Sequence, residues 1–238
     1  MNKEYLKNPY YKDTEVKQAK KLVKQFYNKE YTPNLFRTGN LKLASNVAIW
    51  DLPSVITYKY KCKDCYAIKA ERMYKNTRIF RAFHYELIKE ALKDSDKRSY
   101  LQDYINVELR RYATIFKEPI VRLHSSGDMF SSKYFDFWID IINKNKDIEF
   151  YTYTKILTNK QIDVINSLMP NFNIVKSMID DKYINYGSIE YLEDITKVLE
   201  AENKEYFICG YGHSDNKLSC MGNCKQCLHC SNVLFVKH

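Results

Sequence analysis

Apolar positions recur at helical spacing along most of the first 118 residues, and the later chain alternates between strand-like and helical patterns. Residues 13–30 place apolar side chains on one face and lysines on the other, which predicts an amphipathic helix. Residues 41–55 suit a short strand or a buried irregular segment. From Cys65 a helical pattern continues for nearly thirty residues without a breaker, and another covers about 99–116. Each of these two patterns predicts one helix.

From residue 119 onward, short β-branched runs alternate with amphipathic stretches. The predicted strands are 119–128, 148–155, 172–181 and 205–212, and the predicted helices are 131–145, 158–169 and 187–203. Serines at the start of 131–145 are expected to cap that helix. Strands separated by helices of this length imply βα units with parallel pairing.

The predicted fold class is therefore α/β, with a parallel sheet or a partial (β/α) barrel. An N-terminal helical extension is expected over residues 1–37, and a single α/β domain over 38–238. That domain ends in a Cys-rich, metal-binding segment at 209–238. A chain of 238 residues with 45% hydrophobic content is long enough to bury a substantial core.

Polar residues end each predicted strand. They are His124, Ser125, Ser126 and Asp128 after the first, Tyr153 and Lys155 in the second, Ser177 and Asp180 in the third, and Cys209 in the fourth. Parallel α/β proteins bind ligands at the carboxyl ends of their strands, so these side chains predict a shared ligand pocket. The foremost candidates for ligand contact are His124, Asp128, Tyr153 and Lys155. In the alternative interpretation, the serines and aspartates only cap the following helices.

The seven cysteines are grouped in two places. Cys62 and Cys65 form a Cys-x2-Cys pair, and the remaining five are Cys209, Cys220, Cys224, Cys227 and Cys230. Two-residue gaps let two thiolates on one turn reach the same metal ion or cluster. Cys65 stands at the predicted start of a helix, where the helix dipole favours an anionic thiolate.

The cellular compartment decides between metal binding and disulfides. The N-terminus shows no charged segment followed by an apolar one, and no run of about 18 apolar residues occurs, so a cytoplasmic protein without a membrane span is expected. Clustered cysteines in a reducing cytosol are more often metal ligands than disulfides, and an odd number cannot pair completely.

The net charge of +9 is concentrated in the first half of the chain. Residues 1–122 contain 26 Lys and Arg against 14 Asp and Glu, whereas residues 123–238 contain 12 against 15. Lysine and arginine interleaved with Tyr and Phe are typical of a nucleic-acid or nucleotide contact surface. A solvated, lysine-rich helical surface is the simpler alternative.

Several segments together resemble a known family. They are Leu41–Leu43, Asn46–Pro53, Cys65–Ala67 with Lys69–Glu71, Leu123–Phe130, Phe150–Lys155 and the terminal cysteine cluster, and they span roughly residues 38–238. In this order they are similar to the phage "gene product 88" family. The resemblance implies a phage or prophage protein acting in the host cytosol, and it carries no established reaction.

The Cys65–Ala67 segment and the strand-end pattern are also similar to radical-SAM-like phage iron–sulfur proteins. That likeness implies a partial (β/α) barrel holding a [4Fe–4S] cluster. Radical SAM proteins place Cys-x3-Cys-x2-Cys after their first strand, whereas that position here holds only Cys62-x2-Cys65. The one Cys-x3-Cys-x2-Cys motif, Cys220 to Cys227, lies at the far end of the chain, which argues against binding of S-adenosylmethionine.

Three functional interpretations follow. The first is a [4Fe–4S] protein with the cluster beside the strand-end pocket, and this interpretation includes a redox or radical-SAM-like enzyme that acts on a small ligand or nucleotide. Its ligand candidates are, in order, Cys65, Cys224, Cys227, Cys209, Cys230, Cys62 and Cys220. The second is a nucleic-acid-binding protein with a four-cysteine zinc site at Cys62, Cys65, Cys224 and Cys227. The third is a structural or host-interaction protein whose metal only stabilises the fold. The sequence leaves the oligomeric state open.

Overall fold

A computed structural model of the chain describes residues 10–39, 43, 45–56 and 66–176, together with 197, 200, 201, 203, 207, 208, 233 and 234. All seven cysteines, Ser177 and Asp180 lie outside these residues, and so does most of the predicted helix 187–203. The predictions that concern them stay predictions. None of the helices in the described part is both long and apolar enough to cross a membrane.

The described elements alternate as the sequence patterns predict. The helices are α1 (Asp13–Tyr27), α2 (Tyr66–Met73), α3 (Lys75–Ala91), α4 (Ser95–Ile115), α5 (Ser132–Lys144) and α6 (Asn159–Leu168). The strands are β1 (Arg37–Thr38), β2 (Val47–Trp50), β3 (Ile120–Leu123), β4 (Glu149–Thr154), β5 (Phe172–Lys176), β6 (Phe207–Ile208) and β7 (Val233–Leu234). A short 3-10 helix, Ser54–Ile56, follows β2.

Five strands form the main sheet in the order β1-β2-β3-β4-β5. β1 is antiparallel to β2, and the later neighbours are parallel, with Trp50, Leu123, Thr152 and Ile174 in register. β6 and β7 form a separate parallel pair in which Phe207 lies opposite Val233. The prediction of a mixed α/β fold with a mostly parallel sheet is confirmed.

The helices α1 and α3–α6 share one core with one face of this sheet. The strand residues in that core include Ala48, Trp50, Val121, Leu123, Phe150 and Ile174. The opposite face carries a smaller cluster of Leu43, Val47, Ile49, Ile120 and Tyr151. Parallel strands that neighbour each other in chain order need crossovers of one hand, which place their helices on a single face.

The single long helix predicted after Cys65 is wrong, because the chain breaks at Tyr74. Tyr74 has an extended backbone (φ −119°, ψ 109°) and separates α2 from α3. Its position follows from Arg78, whose guanidinium donates hydrogen bonds to the carbonyl oxygens of Glu71 and Arg72 at the end of α2. The buried Arg78 side chain thus satisfies carbonyl oxygens that would accept hydrogen bonds from backbone amides in a continuous helix.

Basic residues recur at every third position from Lys69 to Arg81, a stripe that the sequence alone assigns to a solvated face or to an anionic partner, but the structure interrupts it. Arg78 and Arg81 are 8% and 4% exposed, so they belong to the interior and not to a solvated or anion-binding face. Their burial requires carboxylate partners, which Glu15, Asp51 and Glu71 provide. Periodicity alone could not separate these two arginines from the exposed members of the series.

A buried ion pair joins α1 to α3. Arg78 contacts Glu15 at 2.7 Å, and both side chains are nearly inaccessible. The hydrogen bond from Arg78 holds the pKa of Glu15 below its ordinary value despite the opposing effect of burial. Phe26 of α1 is fully buried in the main core. α1 therefore contributes to the same core as the sheet, and the division into residues 1–37 and 38–238 stays a prediction.

Two helix starts show how local chemistry sets the bounds. Ser131 caps α5, as predicted, by accepting a hydrogen bond from the amide of Tyr134 at 3.2 Å. α4 begins earlier than the predicted residue 99, because the Asp94 carboxylate accepts hydrogen bonds from the amides of Asp96 and Lys97. An aspartate in this position satisfies two of the free amides of the first turn.

Removal of one partner of the Glu15–Arg78 pair leaves a buried charge without compensation. We expect Glu15→Gln or Arg78→Met to lower the free energy of unfolding by about 3 to 5 kcal/mol. The double variant Glu15→Gln, Arg78→Met should lose less than the sum of the two single losses. Urea unfolding of the four proteins measures this coupling, and single losses below about 1 kcal/mol would contradict a buried, dehydrated pair.

Candidate functional site

The carboxyl ends of β2, β3 and β4 meet at one edge of the sheet, here called the carboxyl edge. The chain leaves these strands at Asp51, His124 and Lys155. Residues 124–131, the strand-end loop, connect β3 to α5 and contribute most of the polar side chains at this edge. Because the three strands are parallel and in register, residues far apart in sequence become neighbours here.

Asp51 fastens the strand-end loop to β2. Its carboxylate accepts hydrogen bonds from the Ser125 hydroxyl at 2.6 Å and from the Ser126 amide at 2.9 Å. The Leu52 amide donates in turn to the Ser126 carbonyl oxygen at 2.9 Å. The contact is so close that a Cβ on Gly127 would lie 2.6 Å from the Leu52 Cβ, and Gly127 also has a φ of +90°. Glycine is required at this position for both reasons.

Asp128 fastens the other end of the same loop to β4. Its carboxylate accepts hydrogen bonds from the Thr154 hydroxyl at 2.8 Å, the Lys155 amide at 2.7 Å and its neighbour's amide, that of Met129, at 2.7 Å. Burial raises the pKa of Asp128, and the three donors oppose that rise. The two oxygens of Asp128 are therefore engaged within the protein, and this residue fixes the backbone from which the Lys155 side chain emerges.

His124 belongs to a chain of hydrogen bonds beneath the edge. Its Nε2 lies 2.8 Å from the Tyr134 hydroxyl, which also accepts a hydrogen bond from the Trp50 indole. Its Nδ1 lies 3.4 Å from the Thr152 hydroxyl, which donates to the Leu123 carbonyl oxygen. This pattern requires that the Tyr134 hydroxyl donates to Nε2 and that Nδ1 carries the proton.

The environment of His124 keeps the imidazole neutral. Burial lowers its pKa to about 3, and the charge of Asp51 only partly opposes this effect. The residue also adopts a φ of +63°, in the left-handed region that non-glycine residues seldom occupy. Both ring nitrogens are engaged, so His124 holds the strand-end loop and the underlying aromatic side chains together.

His84 of α3 is a second buried histidine, and it packs against Trp50 of β2. Its ring stacks on Trp50 with centroids 3.8 Å apart, and its Nδ1 lies 3.0 Å from the Asp51 carbonyl oxygen. Burial lowers its pKa to about 3 as well. His84 is therefore part of the core, which its position between Phe83 and Tyr85 in a helical pattern also predicts.

Arg81 closes the base of the loop that carries the first two cysteines. This cysteine loop, residues 57–65, lies outside the described residues, but both of its flanks are described. Arg81 donates hydrogen bonds to the Glu71 carboxylate and the Ala67 carbonyl oxygen, each at 3.0 Å, and lies 3.5 Å from the Asp51 carboxylate. Glu71 also accepts hydrogen bonds from the amide and the hydroxyl of Ser54.

The charges around Arg81 compensate for its burial. Burial by itself lowers the pKa of Arg81, but the negative charges of Asp51 and Glu71 outweigh it and raise the pKa. The Tyr11 hydroxyl adds another hydrogen bond to Glu71 at 3.1 Å, and burial raises the pKa of Tyr11. The two flanks of the cysteine loop are thus joined through one ionic network, and that network reaches the carboxyl edge through Asp51.

The residues predicted to contact a ligand fall into two groups. His124 and Asp128 are 3% and 1% exposed and are surrounded by protein partners. Ser125, Tyr153 and Lys155 are only partly buried at the same edge. This exposure makes the second group better placed than the first for direct contact with a ligand.

Ser126 stands apart from these groups. It is buried, and its hydroxyl has no hydrogen-bond partner among the described residues.

Sequence reasoning missed the ionic network and one basic side chain. The sequence places Asp51 within the family segment Asn46–Pro53 and Arg81 within the basic stripe from Lys69, and neither pattern indicates that the two side chains pair. Arg122 lies in the middle of β3 on the face opposite the helices, and its guanidinium lies 5.4 Å from the ring centroid of Tyr153. An arginine inside a strand of mainly apolar residues was the available signal for it.

The comparison with known proteins places the chain in a family. The family model described as "Gene product 88" matches residues 14–233. The chain belongs to the gene product 88 family. The "Gene 88 protein" of Mycobacterium phage L5 is 28% identical to it over 138 residues, which is 54% of this chain and 57% of that protein. The match thus spans little more than half the length of that relative. No solved structure shows significant similarity to the chain.

Family membership confirms the sequence resemblance and assigns no chemistry. Among the described residues, no group of three or more His, Cys, Asp or Glu side chains could hold a metal ion. Each cysteine predicted as a ligand lies outside the described residues. The iron–sulfur and zinc interpretations of this family member therefore stay predictions.

The two buried histidines predict a loss of stability in mild acid. Below about pH 6.5 the unfolded chain binds protons at His84 and His124, whereas the folded chain binds none there until about pH 3. The free energy of unfolding should therefore fall by about 1.4 kcal/mol per histidine per pH unit between these limits. Urea unfolding at pH 7, 6 and 5 measures the slope, and equal stability at pH 7 and pH 5 would contradict neutral, buried imidazoles.

Gly127→Ala tests the contact between the strand-end loop and β2. We expect a loss of about 2 to 4 kcal/mol in unfolding free energy, because the new methyl group meets Leu52 and the backbone is left-handed. Ser125→Ala, which removes one hydrogen bond from the same loop, should cost about 1 kcal/mol. A neutral Gly127→Ala variant would show that the loop does not hold this close approach in solution.

Proposed function

We propose that this protein holds a [4Fe–4S] cluster next to a ligand pocket at the carboxyl edge, in the host cytosol. The observation that carries the proposal is the attachment of the cysteine loop. The loop follows the carboxyl end of β2, and Arg81 and Glu71 join both of its flanks to that strand end. Cys62 and Cys65 therefore belong to a loop that starts and finishes at the edge where ligands bind in parallel α/β proteins.

The strand order supports a partial (β/α) barrel as the framework. Consecutive parallel strands are neighbours from β2 to β5, and the core helices lie on one face. A doubly wound sheet would instead reverse its strand order and place helices on both faces. In a partial barrel, the face opposite the core helices is the interior. Arg122 and Tyr153 are on that face, just below the carboxyl edge.

The partly buried side chains of the edge indicate the chemical class of ligand. Lys155 and Arg122 supply positive charge, and Tyr153 supplies a hydroxyl group, whereas the Ser125 hydroxyl already donates to Asp51. Such a set suits a small anion, above all the phosphate of a nucleotide. His124 and Asp128 are proposed as positioning residues, because their polar atoms are engaged in holding the strand-end loop.

The donor set favours a cluster. Thiolates are the usual ligands of [4Fe–4S] clusters, which take four, and seven cysteines supply more than one zinc ion uses. Cys65 directly precedes α2, and Cys209 directly follows β6. A bound cluster would supply one-electron transfer or Lewis-acid chemistry to a ligand at the edge. The protein residues would bind and orient that ligand.

Metal analysis of protein purified without oxygen tests the proposal. We expect iron and sulfide in equal amounts, with a broad absorption band at about 400 nm. Cys65→Ser and Cys224→Ser should each lose most of the iron, because they remove thiolate ligands. Cys220→Ser, the candidate ranked last, serves as the matched control and should keep more iron. A colourless protein containing zinc, or full iron content in both ligand variants, would overturn the assignment.

The pocket is tested separately from the metal. We expect ATP or inorganic phosphate to raise the melting temperature of the wild-type protein, and Lys155→Met to abolish the rise while it retains the metal. Lys160→Met, on the exposed surface of α6, is the matched control and should behave like the wild type. If neither probe shifts the wild-type melting temperature, or if both variants respond equally, Lys155 does not mark an anion site.

A further inference from the structure

The outward face of α1 carries an uninterrupted group of cations. Val16, Ala19, Val23 and Phe26 bury the inner face of this helix. Lys17, Lys20, Lys21 and Lys24 are all exposed on the other side. Asp13 is the only exposed acidic residue of the helix, because Glu15 is buried against Arg78. Within the described residues, no ion pair joins any of these four lysines to a carboxylate.

The corner between α2 and α3 adds further cations together with exposed apolar groups. Arg72 and Lys75 are exposed on either side of the break at Tyr74. Met73 and Tyr74 are 68% and 56% exposed. Tyr74 is the residue at which the chain breaks between α2 and α3, and it is exposed there.

These two groups are adjacent, because Arg78 contacts both. Its guanidinium binds Glu15 in the first turn of α1 and the carbonyl oxygens at the end of α2. Farther along, the Tyr27 hydroxyl donates to the Leu87 carbonyl oxygen, so α1 and α3 run in the same direction. The corner therefore lies at the N-terminal end of the lysine group. We call the exposed cations of both groups, with Tyr74, the basic face.

The opposite pattern on α4 and α5 shows that the basic face is not a general property of the surface. Arg98 pairs with Asp140, and Arg110 pairs with Asp147, each at 2.8 Å. Charges on that side are balanced by ion-pair partners, whereas the cations of the basic face form no ion pair with any described residue and repel one another. Uncompensated repulsion of this kind is relieved when a polyanion binds.

We propose that the basic face binds single-stranded nucleic acid. The cations supply contacts to the phosphate backbone, and Tyr74 supplies a ring on which an unpaired base stacks. A duplex would leave Tyr74 without a stacking partner, since its bases are already stacked. A membrane surface is less suitable, because α1 buries its apolar face in the core and has none to insert. The proposal does not depend on a bound cluster.

Fluorescence anisotropy with labelled single-stranded DNA and RNA of about 20 nucleotides, over a salt series, tests the surface. For the wild-type chain we expect affinity to fall steeply with salt. A triple variant removes three charges of the basic face: Lys17→Gln, Lys20→Gln and Lys24→Gln. The slope of log affinity against log salt concentration should become shallower by about 2, because each lost phosphate contact contributes roughly 0.7. The variant should also weaken binding at least about tenfold at low salt.

Two further variants separate the surface from net charge. The control is a triple variant that removes the same charge from exposed positions in and beside α5: Lys133→Gln, Lys144→Gln and Lys146→Gln. It should change the affinity less than twofold. Tyr74→Ala should weaken single-strand binding about fivefold or more and leave any duplex binding unchanged. Equal losses in the two triple variants would overturn the proposal. So would binding of the wild-type chain to anionic vesicles but not to either nucleic acid.

Discussion

One buried guanidinium, that of Arg81, determines how the first half of the chain is arranged around the sheet. An arginine in the interior requires compensating charges at fixed positions, because an unpaired buried charge costs several kcal/mol. Asp51 from the end of β2 and Glu71 from α2 meet this requirement. The chain between them must therefore leave the sheet and return to the same place, whatever conformation the cysteine loop adopts. Here a stability requirement and the proposed metal-binding loop share the same residues.

The strand-end loop depends on the same network at one side and on a second carboxylate at the other. Asp51 at the end of β2 binds the Ser126 amide of the loop, and Asp128 of the loop binds the Lys155 amide at the end of β4. The ends of three strands are thus joined at the carboxyl edge. His124 and Gly127 both have a left-handed backbone. This conformation costs about 1 to 3 kcal/mol at His124, because only glycine adopts it without strain. Such a cost is tolerated where surrounding contacts fix the conformation, and a rigid edge lowers the entropic cost of ligand binding.

Much of the fold could be predicted from the sequence, because the periods of strands β3–β5 and of helices α4–α6 are set by local residue order. The break at Tyr74 could not, since it depends on Arg78 reaching carbonyl groups and on Glu15 being nearby. The polar character of the carboxyl edge was also predictable. Which polar groups face a ligand was not, because His124 and Asp128 use their hydrogen bonds on neighbouring strands that the sequence does not specify.

We propose that the cysteine loop and the C-terminal cysteines form one metal site at the carboxyl edge. Amide hydrogen exchange of the full chain, with and without bound metal, tests whether the site is shared. We expect metal to protect residues 57–66 and 209–234 together, because each segment supplies ligands to the same centre. Protection of only one of the two segments would contradict a shared site and would separate the C-terminal cysteines from the edge.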